Sequence, residues 1–297
     1  MRITVLRKVC CSIVAFAAFT AMVTSCGTAD TGIPVSSELN VTTSDTVAES
    51  SESSTEISVD KVIATGIELI DYGQNLKGIK VYRDEREIDG MLYLPEGNGP
   101  FPVCFFAQGL GAPSIAYEDI AESLAENGIA AVLIDYPADD GKYSYVTEAE
   151  DLMAVVDGVT SFTFIYCRNI FLWGHSFGGL TVTYAGCEYF PYYEQKFKGL
   201  ILLEPSFEQS QDMFAKMPQF GGKVLILTGT ADNSVSLSHP DLIDRAKDSF
   251  KNADIRAIEG EDHYFTGAGR AAMIQATLAF LKKQPLPPSL MTTFFTP

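Results

Sequence analysis

From Val103 onward, short unbroken apolar runs alternate with longer stretches whose apolar residues recur every three or four positions. Val103–Ala107, Ile129–Ile134, Ile170–Trp173, Leu200–Leu203 and Val224–Leu227 are the runs, and Ile255–Ile258 is a weaker one. Apolar residues at consecutive positions predict strands covered on both faces, as in a mostly parallel sheet. Ile67–Leu94 reads instead as antiparallel strands, clearest over Ile88–Leu94. Between the runs, Ile115–Asn127 reads as a helix ended by Asn127-Gly128. Leu152, Val155, Val156 and Val159 share one helical face and predict an amphipathic helix. Helices are also expected over Phe177–Tyr189 and near 240–251 and 269–282. Strand and helix in turn predict an α/β fold: a twisted, mostly parallel sheet with helices on both faces. It forms one domain over residues 61–284, followed by a loose Pro-rich tail, 285–297.

The first 60 residues are patterned differently. Arg2, Arg7 and Lys8 precede an apolar run from Val9 to Val23, and Val23-Thr24-Ser25-Cys26 follows. That run fits the core of an export signal better than a membrane span. Small residues before Cys26 resemble the lipobox of bacterial lipoproteins. The resemblance implies removal of residues 1–25, lipidation of Cys26, and a place on the bacterial cell surface outside the cytoplasm. An uncleaved membrane helix and an ordinary secretory signal are the alternatives. Residues 27–60 hold 14 Ser or Thr and seven acids, with no Lys, Arg or aromatic residue. Such a segment buries too little apolar surface to offset the entropy of ordering, so residues 26–60 read as a lipidated Cys and a disordered tether.

Composition narrows the chemistry. A net charge of −17 lacks the basic footprint of a nucleic-acid binder and disfavours electrostatic docking to anionic lipid. The membrane is then reached through the Cys26 lipid alone. Three His and no Cys-x-x-Cys pair leave no metal site of familiar spacing, and no cofactor is called for. Cys104, Cys167 and Cys187 lie in apolar or helical surroundings and read as three buried thiols, with a Cys167–Cys187 disulfide the lesser option. Nothing in the sequence speaks to oligomeric state.

Gly174-His175-Ser176-Phe177-Gly178 matches G-x-S-x-G. The five residues alone are a weak signal. Their setting between a strand and a helix is the one in which the serine stands on a tight turn above a sheet. A serine hydroxyl needs a base. His263, in a loop after the last strand, comes last in the chain, as the order Ser…Asp…His requires; His175 adjoins the serine and His239 precedes a helix. Asp232 follows the strand Val224–Leu227 and would orient the imidazole. Glu204, after the preceding strand, is its rival, while Asp262 is too close to His263 and reads as a loop-shaping residue. Backbone amides of Phe177 and Leu110, the latter in Gln108-Gly109-Leu110-Gly111, would form an oxyanion hole. Tyr136 and Tyr264, with Tyr143 and Tyr145, stand near the strand C-terminal ends and are candidate substrate contacts.

Together these segments resemble the α/β-hydrolase superfamily over residues 80–283. Gly90–Pro95, Gln108–Gly111, Glu148–Leu152, the Ser176 turn, Thr228–Asp232 and Gly260–Phe265 most resemble small bacterial cinnamoyl/feruloyl esterases and dienelactone-hydrolase-like proteins. The resemblance implies hydrolysis of a small-molecule ester through an acyl-serine. Gln108 stands where that family usually has His. About 20 residues separate Leu203 from Val224, where feruloyl esterases insert a cap, so an open site with little or no cap is expected. Ser rather than Cys at 176 argues against dienelactone hydrolysis itself. A lipase or short-peptide peptidase, and a non-catalytic binding lipoprotein on the same fold, are the competing readings.

Overall fold

The computed structural model describes residues 2–5, 64–73, 75–137, 142–232 and 240–292. Cys26, most of the segment read as an export signal, the segment read as a tether, and His239 lie outside them. Among the described residues no helix is long and apolar enough to cross a membrane.

Among the described residues ten strands form one open sheet. In chain order they are β1 (Arg2–Val5), β2 (Gly66–Asp71), β3 (Leu76–Arg83), β4 (Arg86–Tyr93), β5 (Phe101–Ala107), β6 (Ala130–Asp135), β7 (Ile165–His175), β8 (Phe197–Leu203), β9 (Lys223–Gly229) and β10 (Ala253–Ile258). Across the sheet they run β1-β2-β3-β4-β6-β5-β7-β8-β9-β10. The pairs from β1 to β4, and β4 with β6, are antiparallel; every pair from β6 to β10 is parallel. β1 falls within the segment read as a cleavable leader, and its removal would leave nine strands.

Side-chain alternation sorts the strand residues between two cores. Val103 and Phe105, Ile170 and Leu172, Leu200 and Leu202 face the layer that holds α2 (Tyr145–Val159) and α3 (Phe177–Tyr193). Cys104 and Phe106, Phe171 and Trp173, Ile201 and Leu203 face α1 (Glu118–Glu126) and α6 (Gly269–Leu281). Continuous apolar runs therefore arise because both faces of the central strands are covered. The link between β8 and β9 holds only two 3-10 turns and the four-residue α4 (Met213–Lys216), so nothing cap-sized stands there. α5 (Pro240–Ser249) precedes β10.

Several expectations need correction. The helix expected over Ile115–Asn127 is a 3-10 turn, Ser114–Tyr117, followed by α1. α2 is not amphipathic in its second half, since every residue from Asp151 to Val159 is buried. Of the three cysteines among the described residues, all free, Cys104 and Cys187 are buried and Cys167 is only partly so, because it lies in the stretch Tyr166–Asn169 of β7, which is exposed or half-buried. Burial pushes the Cys187 thiol up to about 12. The tail is not loose as far as Met291: Leu290 is buried, and Met291 exchanges two 2.9 Å backbone hydrogen bonds with Ala257 of β10.

One polar cluster anchors α2 to the antiparallel strands. The fully buried Asp151 carboxylate receives Arg83 and Arg86, each with a nitrogen 2.7 Å away, and Arg83 also holds Glu150 at 2.8 Å. Neutralising the carboxylate would leave the two guanidiniums side by side with the buried counter-charge gone and Glu150 still paired to Arg83. Asp151→Asn is expected to cost about 3 kcal/mol of unfolding free energy, read from urea denaturation. A loss below about 1 kcal/mol would show that the arginines find water instead.

Candidate active site

Strand order reverses at β5, whose two neighbours, β6 and β7, are reached by connections on opposite sides. Beyond the carboxyl ends of such strands is where open α/β sheets bind ligands. β5, β7, β9 and β10 deliver there the loop Gln108–Gly111, Ser176, Asp232 and His263 respectively.

Ser176 occupies a one-residue corner between β7 and α3, at φ 54° and ψ −118°. A non-glycine residue in that region is strained by about 1–3 kcal/mol and is held only by what surrounds it. The Ser176 amide donates to the Leu203 carbonyl at 2.8 Å, and its carbonyl accepts from Gly179 and Ser206 at 2.9 and 3.1 Å. The motif glycines are steric requirements: a Cβ on Gly174 would stand 2.3 Å from the Gly178 carbonyl oxygen, and one on Gly178 2.0 Å from that of Ala107. Strand, corner and helix can come this close only without those side chains. Phe177 then opens α3, where the first amides have no intrahelical acceptor.

His263 Nδ1 lies 2.9 Å from Asp232 Oδ2, with the carboxylate fully buried and the imidazole nearly so. A carboxylate accepts, so this tautomer carries its proton on Nδ1 and its lone pair on Nε2. Glu204, the rival acid, turns elsewhere: it is fully buried, and one of its carboxylate oxygens accepts from the Gly229 amide in a short contact. Asp262 shapes the loop, accepting from the Tyr264 amide at 3.0 Å.

The Ser176 hydroxyl is hydrogen-bonded to the Ser206 hydroxyl at 3.2 Å. Ser206 is buried and belongs to the turn after β8; no feature of its neighbourhood in sequence announces this, since its partner is 30 residues away. The His175 ring packs beside that of His263, with centroids 4.9 Å apart, and occupies a defined place. Its Nδ1 is 2.7 Å from the Tyr117 hydroxyl and its Nε2 2.8 Å from the His263 carbonyl oxygen. Burial above all, with His263 alongside, pushes the His175 pKa down to about 4.

The loop after β5 runs beside the corner. A Cβ on Gly109 would be 3.5 Å from the Ser176 Cβ, and Leu110, next in the chain, is half-exposed. This loop walls one side of a pocket of about 300 Å³, whose other side is Asp135–Pro137 and Lys142–Ser144 with Thr147 and Glu148. Tyr136 and Tyr143 both line it; the Tyr136 hydroxyl is buried there, its pKa held well above the usual phenol range by burial and by Glu148 and Asp151. Tyr145 does not line it and instead bonds Ser210 at 3.1 Å. Tyr264 is exposed, its ring edge-on to that of His263 at 5.3 Å. Among the described residues no three His, Cys, Asp or Glu side chains are grouped to hold a metal.

Comparison with known proteins agrees with this architecture. Est1E from Butyrivibrio proteoclasticus is similar in structure at a TM-score of 0.60 and 19% identity, over 70% of this chain and 98% of that one. Dienelactone hydrolase from Anabaena variabilis aligns at 0.61 and 17%, over 71% and 99%. A monoacylglycerol lipase from Paleococcus ferrophilus aligns at 0.55 and 16%, over 67% and 99%. No curated protein matches the sequence. The family described as Hydrolase_4, serine aminopeptidase S33, matches residues 99–284. By that match and by its sheet, the chain belongs to this family and is an α/β hydrolase.

Proposed function

We propose that the protein is a serine carboxylesterase acting on small or medium acyl esters, tethered outside the cell through a lipid on Cys26. The observation that carries the reading is the buried His263–Asp232 pair at 2.9 Å, delivered to the same sheet edge as a serine held at positive φ. In this reading the Ser176 hydroxyl turns from Ser206 toward His263 Nε2, gives up its proton there and attacks the ester carbonyl. Such bonds are commonly loose before substrate arrives. The Phe177 and Leu110 amides receive the oxyanion, which they stabilise more than the ground-state carbonyl. His263 returns the proton to the leaving alcohol, and water then repeats the sequence on the acyl-serine. Asp232 keeps the proton on Nδ1 and stabilises the imidazolium.

Est1E also occurs in a structure with ferulic acid bound. The short β8–β9 link favours an open site here and so favours compact, soluble esters over long acyl chains. p-Nitrophenyl acetate or butyrate should be hydrolysed by the purified protein faster than long-chain emulsions; the reverse order would make it a lipase. The family description favours one further reading, a peptidase for short peptides with a free amino terminus. Turnover of aminoacyl nitroanilides in preference to esters would select it. A folded protein that turns over neither and takes no fluorophosphonate would be a binding lipoprotein. For the anchor, Cys26→Ala is expected to move the protein from the membrane to the soluble fraction. Continued tight retention would refute lipidation at that residue.

A further inference from the structure

Two buried side chains outside this mechanism join the loop after β5 to the loop after β10. The Gly109 amide donates to the Tyr117 hydroxyl at 3.1 Å. That hydroxyl is 2.7 Å from His175 Nδ1, and His175 Nε2 is 2.8 Å from the His263 carbonyl oxygen. Chemistry fixes every proton. A carbonyl only accepts, so Nε2 carries the hydrogen. With its pKa pushed down to about 4, the His175 ring is neutral at pH 7 and Nδ1 holds a lone pair. The Tyr117 hydroxyl must then donate to Nδ1 while accepting from Gly109. The chain runs in one direction, amide to hydroxyl to imidazole to carbonyl, with each donor matched.

Its ends are informative. Gly109 precedes Leu110, whose amide is assigned to the oxyanion, and lies against Ser176. The accepting carbonyl belongs to His263, whose imidazole is assigned as the base. We propose that Tyr117 and His175 are positioning residues that hold the oxyanion loop and the base in register on either side of Ser176. This rests on the serine-hydrolase reading above. A second tie between the same regions supports it. Arg270, in the first turn of α6 after the His263 loop, makes two 2.6 Å hydrogen bonds to Asp119 and one of 2.9 Å to the Ala116 carbonyl. Tyr117 is thus held from both sides, and its ring packs edge-on to Trp173 at 5.4 Å, a contact phenylalanine retains.

The test uses the purified full chain and Tyr117→Phe, His175→Leu and the double variant. In ¹⁵N-histidine spectra of the wild type at pH 7, His175 should show a protonated Nε2 and a bare Nδ1. In Tyr117→Phe the Nδ1 signal should shift as it loses its donor. For p-nitrophenyl butyrate, kcat should fall about 10-fold or more in Tyr117→Phe, with KM kept within about threefold, because a displaced oxyanion donor weakens the transition state more than the ground state. The double variant should be no slower than the slower single one, since either change breaks the same chain. Should His175→Leu fail to fold, the kcat and KM values of Tyr117→Phe decide alone. Unchanged kcat in a folded Tyr117→Phe, losses that multiply in the double variant, or a protonated Nδ1 would each overturn the proposal. A wild type that neither hydrolyses esters nor takes a fluorophosphonate would overturn the serine-hydrolase reading with it, whereas an active wild type with an unimpaired Tyr117→Phe would overturn this inference alone.

Discussion

Ser176→Ala is expected to lower ester hydrolysis by roughly 10⁴-fold or more and to abolish labelling by fluorophosphonates. The size follows from the role. The hydroxyl oxygen forms the acyl bond, and without it only binding and the oxyanion donors remain to accelerate attack by water. The variant should stay folded. Alanine keeps the Cβ that already tolerates φ 54°, and what is lost is one hydroxyl contact to Ser206. Unfolding free energy should therefore change by about 1 kcal/mol or less. Retention of more than a tenth of the wild-type rate in folded protein would place the chemistry elsewhere.

Asp232→Asn is expected to lower kcat about 10⁴-fold with little change in KM. The asparagine carboxamide can donate as well as accept. Donation to Nδ1 would drive the His263 proton onto Nε2, the nitrogen that must take the serine proton. Glu204→Gln is the control. Its carboxylate accepts from the Gly229 amide, a function the glutamine carbonyl oxygen can keep, so activity should remain within a few fold. The comparison has opposite outcomes for the two acids. A dead Glu204→Gln beside an active Asp232→Asn would transfer the orienting role to the end of β8.

The parts of this molecule legible in sequence are those whose signal is local. Val103–Ala107 and Leu200–Leu203 announce strands because sheet faces covered on both sides demand apolar residues at successive positions. Ser176 is legible because a corner this tight excludes a side chain at Gly174 and Gly178, which writes the constraint into neighbouring positions. His263 and Asp232 are legible through chain order and the strands they follow, and the 2.9 Å contact joins them. What sequence did not reveal depends on distant partners. Ser206 meets Ser176 across 30 residues, Tyr117 meets His175 across 58, and His175 meets the His263 carbonyl across 88. No periodicity encodes such pairs. Cys167 is less buried than its sequence setting implies because the apolar run marks only the buried half of β7, and the more exposed stretch Tyr166–Asn169 precedes it. The tail misled for a similar reason: proline suggests a loose segment, yet Met291 finds an open edge on β10 and pairs with Ala257.

The nucleophile can be identified directly by reacting purified protein with a fluorophosphonate, digesting it and sequencing the modified peptide by mass spectrometry. The expected result is one phosphonyl group per chain, carried by the residue between His175 and Phe177. An adduct on Ser206 or any other side chain, or folded and active protein that takes up no reagent, would contradict it.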